Sequence, residues 1–149
     1  MIRDHEVDRR IGLFESVCRD RGVKVTHQRL EIFRELAGTD DHPDAEQVYM
    51  RVRKRLPRVS LDTVYRTLWL LKDMGLIVTL GRGQERTRFD ANLKDHHHFV
   101  CMRCGLTRDF YADALDPIRV PEAVGGYGRI ESSHLEIRGT CHGCIGRNG

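Results

Sequence analysis

The stretch Ser60-Leu61-Asp62-Thr63-Val64-Tyr65-Arg66-Thr67-Leu68-Trp69-Leu70-Leu71-Lys72-Asp73-Met74-Gly75-Leu76-Ile77-Val78-Thr79-Leu80 changes its period partway along. Up to Met74 the apolar residues Leu61, Val64, Tyr65, Leu68, Leu71 and Met74 recur at helical spacing. Ser60 stands where an N-cap is wanted and Gly75 where a helix stops. From Leu76 the apolar run is continuous and β-prone. Gly81-Arg82-Gly83-Gln84 then reads as a turn and Arg86-Thr87-Arg88-Phe89 as a returning strand. A helix running into a β-hairpin is the end of a winged helix-turn-helix.

Upstream, three more helices complete that unit. Val7, Ile11, Phe14, Val17 and Cys18 mark the first, over Val7 to Arg21, with Gly22 as its stop and Cys18 on its buried face. Thr26 caps the second, which carries Leu30, Ile32, Phe33 and Leu36 and ends at Gly38. Asp40-Asp41-His42-Pro43 is a turn, since proline disfavours helix at the residue before it. The third helix starts near Asp44, presents Ala45, Val48, Tyr49, Val52 and Leu56, and ends at Pro57. The short Pro57-Arg58-Val59 link makes the third and fourth helices a helix-turn-helix pair, and the fourth the recognition helix of a DNA reader.

Downstream, Asp95-His96-His97-His98-Phe99-Val100-Cys101-Met102-Arg103-Cys104 joins this half to a strand-rich one. Strands are expected at His98 to Met102, Leu106 to Phe110, Arg129 to Glu131 and His134 to Arg138. A short helix is expected from Ala112 to Ala123, a turn at Gly125-Gly126, and a disordered tail at Gly146-Arg147-Asn148-Gly149. The expected fold is α+β: a winged-helix domain over residues 1–90 and a small α/β domain over residues 91–149. The second domain is too small to be comfortable alone, and an exposed edge strand in it invites pairing with a second copy.

The chain has 149 residues, 40% hydrophobic and 32% charged, with a net charge of +3. That mild charge permits nucleic-acid binding without arguing for it, so a DNA claim rests on local patches. No apolar run reaches membrane-spanning length and the N-terminus carries no signal-peptide core, so a cytoplasmic protein is expected. Thiols stay reduced there, and Cys101/Cys104 with Cys141/Cys144, two Cys-x-x-Cys knuckles beside glycines, read as metal ligands ahead of a redox pair or surface thiols. Four thiolates suit a closed, structural zinc site.

The histidines call for a different site. His96 and His98 alternate along a strand and share a face, which His97 does not. Asp109 comes from the neighbouring strand, Asp90 ends the wing, and His42 lies in the Asp-His-Pro turn. Imidazoles and carboxylates without thiolate suit iron(II), manganese(II) or zinc. For DNA, Arg51, Arg53, Lys54, Arg55 and Arg58 form a basic cluster next to the recognition helix, with Tyr65 and Arg66 near its start. There is no Gly-x-Ser-x-Gly, phosphate loop, dinucleotide fingerprint or His-Glu-x-x-His.

These residues resemble the ferric uptake regulator (Fur) family of metal-dependent repressors over nearly the whole chain. The marks are Val25-Thr26-His27-Gln28-Arg29, Asp41-His42-Pro43, Val59-Ser60-Leu61-Asp62-Thr63-Val64-Tyr65-Arg66-Thr67-Leu68, Arg88-Phe89-Asp90, Asp95-His96-His97-His98, Cys101-Met102-Arg103-Cys104-Gly105 and Leu135-Glu136-Ile137-Arg138-Gly139-Thr140-Cys141. The resemblance implies a homodimer gripping a palindromic DNA operator and structural zinc on the four cysteines. It implies a regulatory metal, iron(II), manganese(II) or zinc, on His42, Asp90, His96, His98 and Asp109. Tyr65 matches the family's base-contacting tyrosine, and the DNA-contacting candidates are Gln28, Arg29, Arg58, Ser60, Thr63, Tyr65 and Arg66.

Aspartate at both Asp90 and Asp109 resembles the peroxide-sensing branch, PerR, in which histidine ligands matching His42 and His96 are oxidised. Arg66 stands where that branch often has asparagine, whereas arginine is commoner in iron- and zinc-responsive members of the family the chain resembles. His97 and His134 are candidates for a further metal site, although Ser133 occupies the family's usual position for the latter. Against a non-enzymatic, peroxide-responsive repressor stand a Fur-type iron or Zur-type zinc repressor, a zinc-dependent hydrolase using the His/Asp site, and a zinc-ribbon adaptor. The adaptor leaves the wing, His42 and Asp90 unexplained.

Overall fold

The computed structural model describes residues 2–81, 86–115, 118–130 and 132–147. The chain divides into two compact units, Met1–Leu93 and Lys94–Gly149.

The first unit contains α1 (Asp4–Asp20), α2 (His27–Ala37), α3 (Ala45–Val52), α4 (Leu61–Asp73), β1 (Val78–Leu80) and β2 (Arg88–Asp90). The caps sit where the sequence places them. Thr26 accepts from the Arg29 N–H, and Ser60 from that of Thr63. Asp44 and Gln47 close a reciprocal capping box at α3. At the end of α4, Gly75 takes a φ of +73°, and the N–H groups of Gly75 and Leu76 return to the carbonyls of Lys72 and Leu71. Phe14 of α1 stacks on Phe33 of α2 with ring centroids 4.9 Å apart. Around that pair Ile32, Leu36, Val48, Val64, Leu68 and Phe89 are fully buried. Buried Arg10 donates to the last carbonyl of α2, Ala37 O, at 3.1 Å, where the helix dipole favours a cation.

Two expectations shift here. α3 ends at Val52 rather than Pro57, and Leu56 closes a turn instead by donating to the Val52 carbonyl. The wing strands are short, because Leu76 and Ile77 are drawn into the core before pairing begins. The register sets Thr79 opposite Phe89 and Val78 opposite Asp90. The turn expected at residues 81–84 lies outside the described residues except for Gly81.

The second unit contains β3 (His97–Cys101), β4 (Thr107–Phe110), a 3-10 turn (Asp113–Leu115), α5 (Glu122–Gly125), β5 (Glu136–Gly139) and α6 (His142–Ile145). Its sheet has the order β4-β3-β5, antiparallel between β3 and β4 and parallel between β3 and β5. The helix expected over Ala112 to Ala123 does not form. Pro121 instead immediately precedes the one-turn α5, and Pro117 lies outside the described residues. Arg129 and Ile130 are not strand, and Glu131 is outside the described residues. Gly146 and Arg147 are ordered in a turn, donating to the His142 and Cys144 carbonyls, rather than in a loose tail. Asn148 and Gly149 are outside the described residues. No helix among the described residues is long and apolar enough to cross a membrane.

Candidate metal centres and nucleic-acid interface

Cysteine geometry follows from strand register. β3 ends at Cys101 opposite Gly139 of β5, so Cys141 comes up beside Cys101 and its N–H points at the Cys101 Sγ, 3.3 Å away. Gly105, at φ +74°, folds the first knuckle back so that its N–H reaches the Cys101 carbonyl. Sulfur atoms of Cys101, Cys104, Cys141 and Cys144 all lie within 4.8 Å of one another, and Cys104 and Cys141 are 3.7 Å apart. Four thiolates at about 2.3 Å from one zinc stand about 3.8 Å from each other, so the donor set fits the ion. The Cys141 N–H, helped by that of Cys104, holds the Cys101 thiol down to about 6. Hydrogen bonding with Cys104 and Cys141, then burial, pushes the Cys144 thiol up to about 12. Four crowded sulfurs cannot all carry charge without a cation among them. Cys18 is apart from this, fully buried in the first unit's core.

The non-thiol donors fall into two sets, one in each unit. In the first unit, His42 and Asp90 are both buried, with His42 Nε2 3.2 Å from Asp90 Oδ2. Among the described residues His42 is the only non-glycine with positive φ, at 52°, a conformation that costs a histidine energy. Its turn is stapled on both sides. Asp41 takes a double hydrogen bond from Arg51 at 2.6 and 3.2 Å, and the Phe89 N–H donates to the Pro43 carbonyl. Asp90 is oriented by the Asn92 N–H at 2.8 Å.

In the second unit, register pairs His98 with Asp109. The Asp109 Oδ1 lies 3.3 Å from His98 Nε2 and 3.4 Å from His96 Nε2. The His96 Nδ1 is held by the Lys94 carbonyl. A carbonyl only accepts, so the proton belongs on Nδ1 and the Nε2 lone pair is the one presented toward Asp109. His97 has the opposite tautomer. Its Nδ1 accepts from the Leu135 N–H at 3.0 Å and its ring packs on Phe110. With that lone pair engaged, His97 is a poor ligand. His134 does not join it either, because its ring stands edge-on to His98, 5.9 Å between centroids.

The DNA candidates separate into two surfaces around α4. Gln28, Arg29, Thr63 and Arg66 line one open cleft together with Thr26, Thr67 and Leu70. Tyr65 lines another with Trp69, Phe89 and the Asp44–Glu46–Arg86 ion pairs. Ser60 bonds Thr63 at the helix cap, Arg66 pairs with Asp62 at 2.8 Å, and Arg58 is exposed. The basic cluster is less available than its composition suggests. Arg51 and Arg55 are engaged by Asp41, Glu35 and Glu31, and Arg53 lies over the Tyr49 ring. The sequence reading missed those carboxylates because they come from α2 and the preceding turn, up to 24 residues away.

Comparison with known proteins agrees with this anatomy. The model of the ferric uptake regulator family matches residues 20–137. The peroxide-responsive repressor PerR of Staphylococcus epidermidis is 32% identical over 95% of this chain and 91% of its own. Among solved structures, a zinc-bound manganese uptake regulator is 30% identical with a TM-score of 0.68, covering 85% of this chain and 97% of that one. The Helicobacter pylori ferric uptake regulator has a TM-score of 0.77 over 97% of both chains at 22% identity, which supports the fold. With a winged helix, a four-cysteine knuckle and a family match over most of its length, this chain belongs to the ferric uptake regulator family of metal-responsive transcriptional repressors.

Proposed function

We propose that the chain is a cytoplasmic, homodimeric repressor of the peroxide-responsive kind, in which one regulatory ion joins His42 and Asp90 to His96, His98 and Asp109. The observation that carries this reading is the division of the donors between the two units. Two ligands belong to the unit that holds the recognition helix, and three to the unit that holds the zinc knuckles. When all five share one ion, the angle between the units is set, and with it the spacing of two recognition helices in a dimer. A ligand that favours one geometry shifts the population toward it. Such a dimer grips a palindrome with half-sites about one helical turn apart.

The donor chemistry fits iron(II) or manganese(II): imidazole and carboxylate, no thiolate. Iron, when bound, supplies one-electron chemistry toward peroxide that manganese does not. The residues hold and orient the site. Asp90 and Asp109 are short carboxylates, and His96 presents Nε2 because Lys94 occupies its Nδ1. The similarity to curated peroxide-responsive repressors supports this branch over plain iron or zinc sensing. Dimerisation is supported by apolar residues left exposed in the second unit, among them Tyr127, Ile130 and Ile137, the last on the edge strand β5.

The test is anaerobic. A duplex selected from a random pool is bound by iron(II)- and by manganese(II)-loaded protein, then challenged with low peroxide. The expected result is release with iron only, together with a one-oxygen gain on peptides bearing His42 or His96. Binding that survives peroxide with both metals, and leaves those peptides unmodified, refutes the peroxide reading and leaves metal sensing.

A further inference from the structure

Building on the regulatory-metal reading, we infer that His134 is an auxiliary ligand that lets the β-sheet unit take up a divalent transition ion before His42 and Asp90 engage it. His98 on β3, Asp109 opposite it on β4 and His96 just before β3 supply three donors close together. Transition ions in histidine-rich sites prefer at least a fourth. Within this unit His134 is the imidazole placed to supply it. A ring bound through nitrogen at about 2.1 Å has its centroid about 3.2 Å from the ion, so two such rings are at most about 6.4 Å apart. His96 and His98 are 4.7 Å apart, and His98 and His134 are 5.9 Å apart.

His134 is also the right kind of residue for a temporary role. It is exposed and stands outside the tight donor cluster, so a side-chain rotation brings its nitrogen in or out. His96 and His98 are buried and fixed. The neighbouring imidazole, His97, is held on the opposite face with its Nδ1 lone pair accepting from Leu135. A three-imidazole, one-carboxylate set suits iron(II), cobalt(II) or zinc. Once His42 and Asp90 contribute their donors, His134 is released by ligand exchange. The β-sheet unit therefore loads first, and the winged unit is recruited to an ion already held.

The test uses the full-length chain with zinc retained in the cysteine site, titrated with cobalt(II) and followed by visible absorption and equilibrium dialysis. His42→Asn with Asp90→Asn removes the first unit's donors while keeping side chains suited to the strained turn and to the Asn92 contact. That double variant is expected to hold one cobalt(II) more weakly than wild type. Adding His134→Gln is expected to weaken it at least tenfold further and to change the spectrum, whereas adding His97→Gln is expected to do neither. The inference is overturned if His134→Gln leaves affinity and spectrum unchanged in the double variant, or if the double variant holds no cobalt(II). The regulatory reading fails separately. Wild-type cobalt(II) binding that is unmoved by the double substitution removes His42 and Asp90 from the ligand set, and a loss on adding His134→Gln would then still support the auxiliary ligand.

Discussion

His42 shows how much a single proposed ligand position depends on what surrounds it. A histidine at φ 52° sits in a conformation costing on the order of 1–3 kcal/mol, and the turn holds it there through the Arg51–Asp41 double hydrogen bond. Arg51→Met is therefore expected to cost about 1 kcal/mol of stability in urea, since the pair is partly solvent-screened. It is expected to weaken the regulatory metal about tenfold, as the turn relaxes and His42 must be re-ordered on binding. Arg51→Lys, which keeps one of the two bonds, should recover part of that loss. Equal metal affinity in wild type and Arg51→Met would show that the turn holds its shape without the clamp. A second residue-scale expectation concerns Glu6. Hydrogen bonding from Arg9, opposed by partial burial and reinforced by Arg10, lowers its carboxyl from 4.5 to about 2. A lowered folded value means the stabilisation is complete above pH 4.5 and is lost as pH falls toward 2. The stability difference between wild type and Glu6→Gln should follow that window, and a difference that persists at pH 2 would assign it to packing instead.

At the scale of elements, the helices of the first unit were legible because their ends are written in side chains. Thr26, Asp44, Ser60 and Gly75 each do what their type does at a helix terminus. Ser60→Ala should cost about 1 kcal/mol. Ser60→Asp should keep the cap and hence the stability, yet weaken duplex binding, because it adds a carboxylate at the start of the proposed recognition helix. Full duplex affinity in Ser60→Asp would take the start of α4 out of the interface. The second unit was harder to read for physical reasons. Strands of four or five residues carry little periodic signal, Pro121 confines helix in the segment after Ala112 to the single turn of α5, and the parallel pairing of β3 with β5 joins residues 38 apart. The nearness of the candidate donors within this unit was legible even so. His96 and His98 alternate by two, and Asp109 lies one hairpin away from them. What spacing could not reveal was the lone-pair engagement of His97 and the turning of His134 toward His98, since both depend on β5 and the segment before it.

At the scale of the molecule, the two units are held together internally by different means. Every member of the large hydrophobic cluster, from Ile11 to Ala91, belongs to the first unit. In the second unit, the only buried apolar residues among those described are Cys101 and Cys144, both candidate zinc ligands. A domain of this size with so little apolar core needs a staple, and the cysteine knuckles tie the end of β3 to α6. Binding energy at such a site is folding energy, so removing zinc should unfold the second unit outright rather than loosen it. Thiolates must be deprotonated to bind, so zinc affinity at the knuckles should fall as pH falls. The first unit should survive. Trp69, the sole tryptophan, packs edge-on against Phe89 in that unit and reports on it alone. After treatment with a strong chelator, hydrogen exchange should show β3, β4 and β5 exposed. Trp69 emission and the helical circular dichroism should stay native and be lost only in a separate urea transition. Loss of Trp69 signal in step with zinc release would mean that the winged helix depends on the knuckles for its own stability, and that its hydrophobic cluster is insufficient without them.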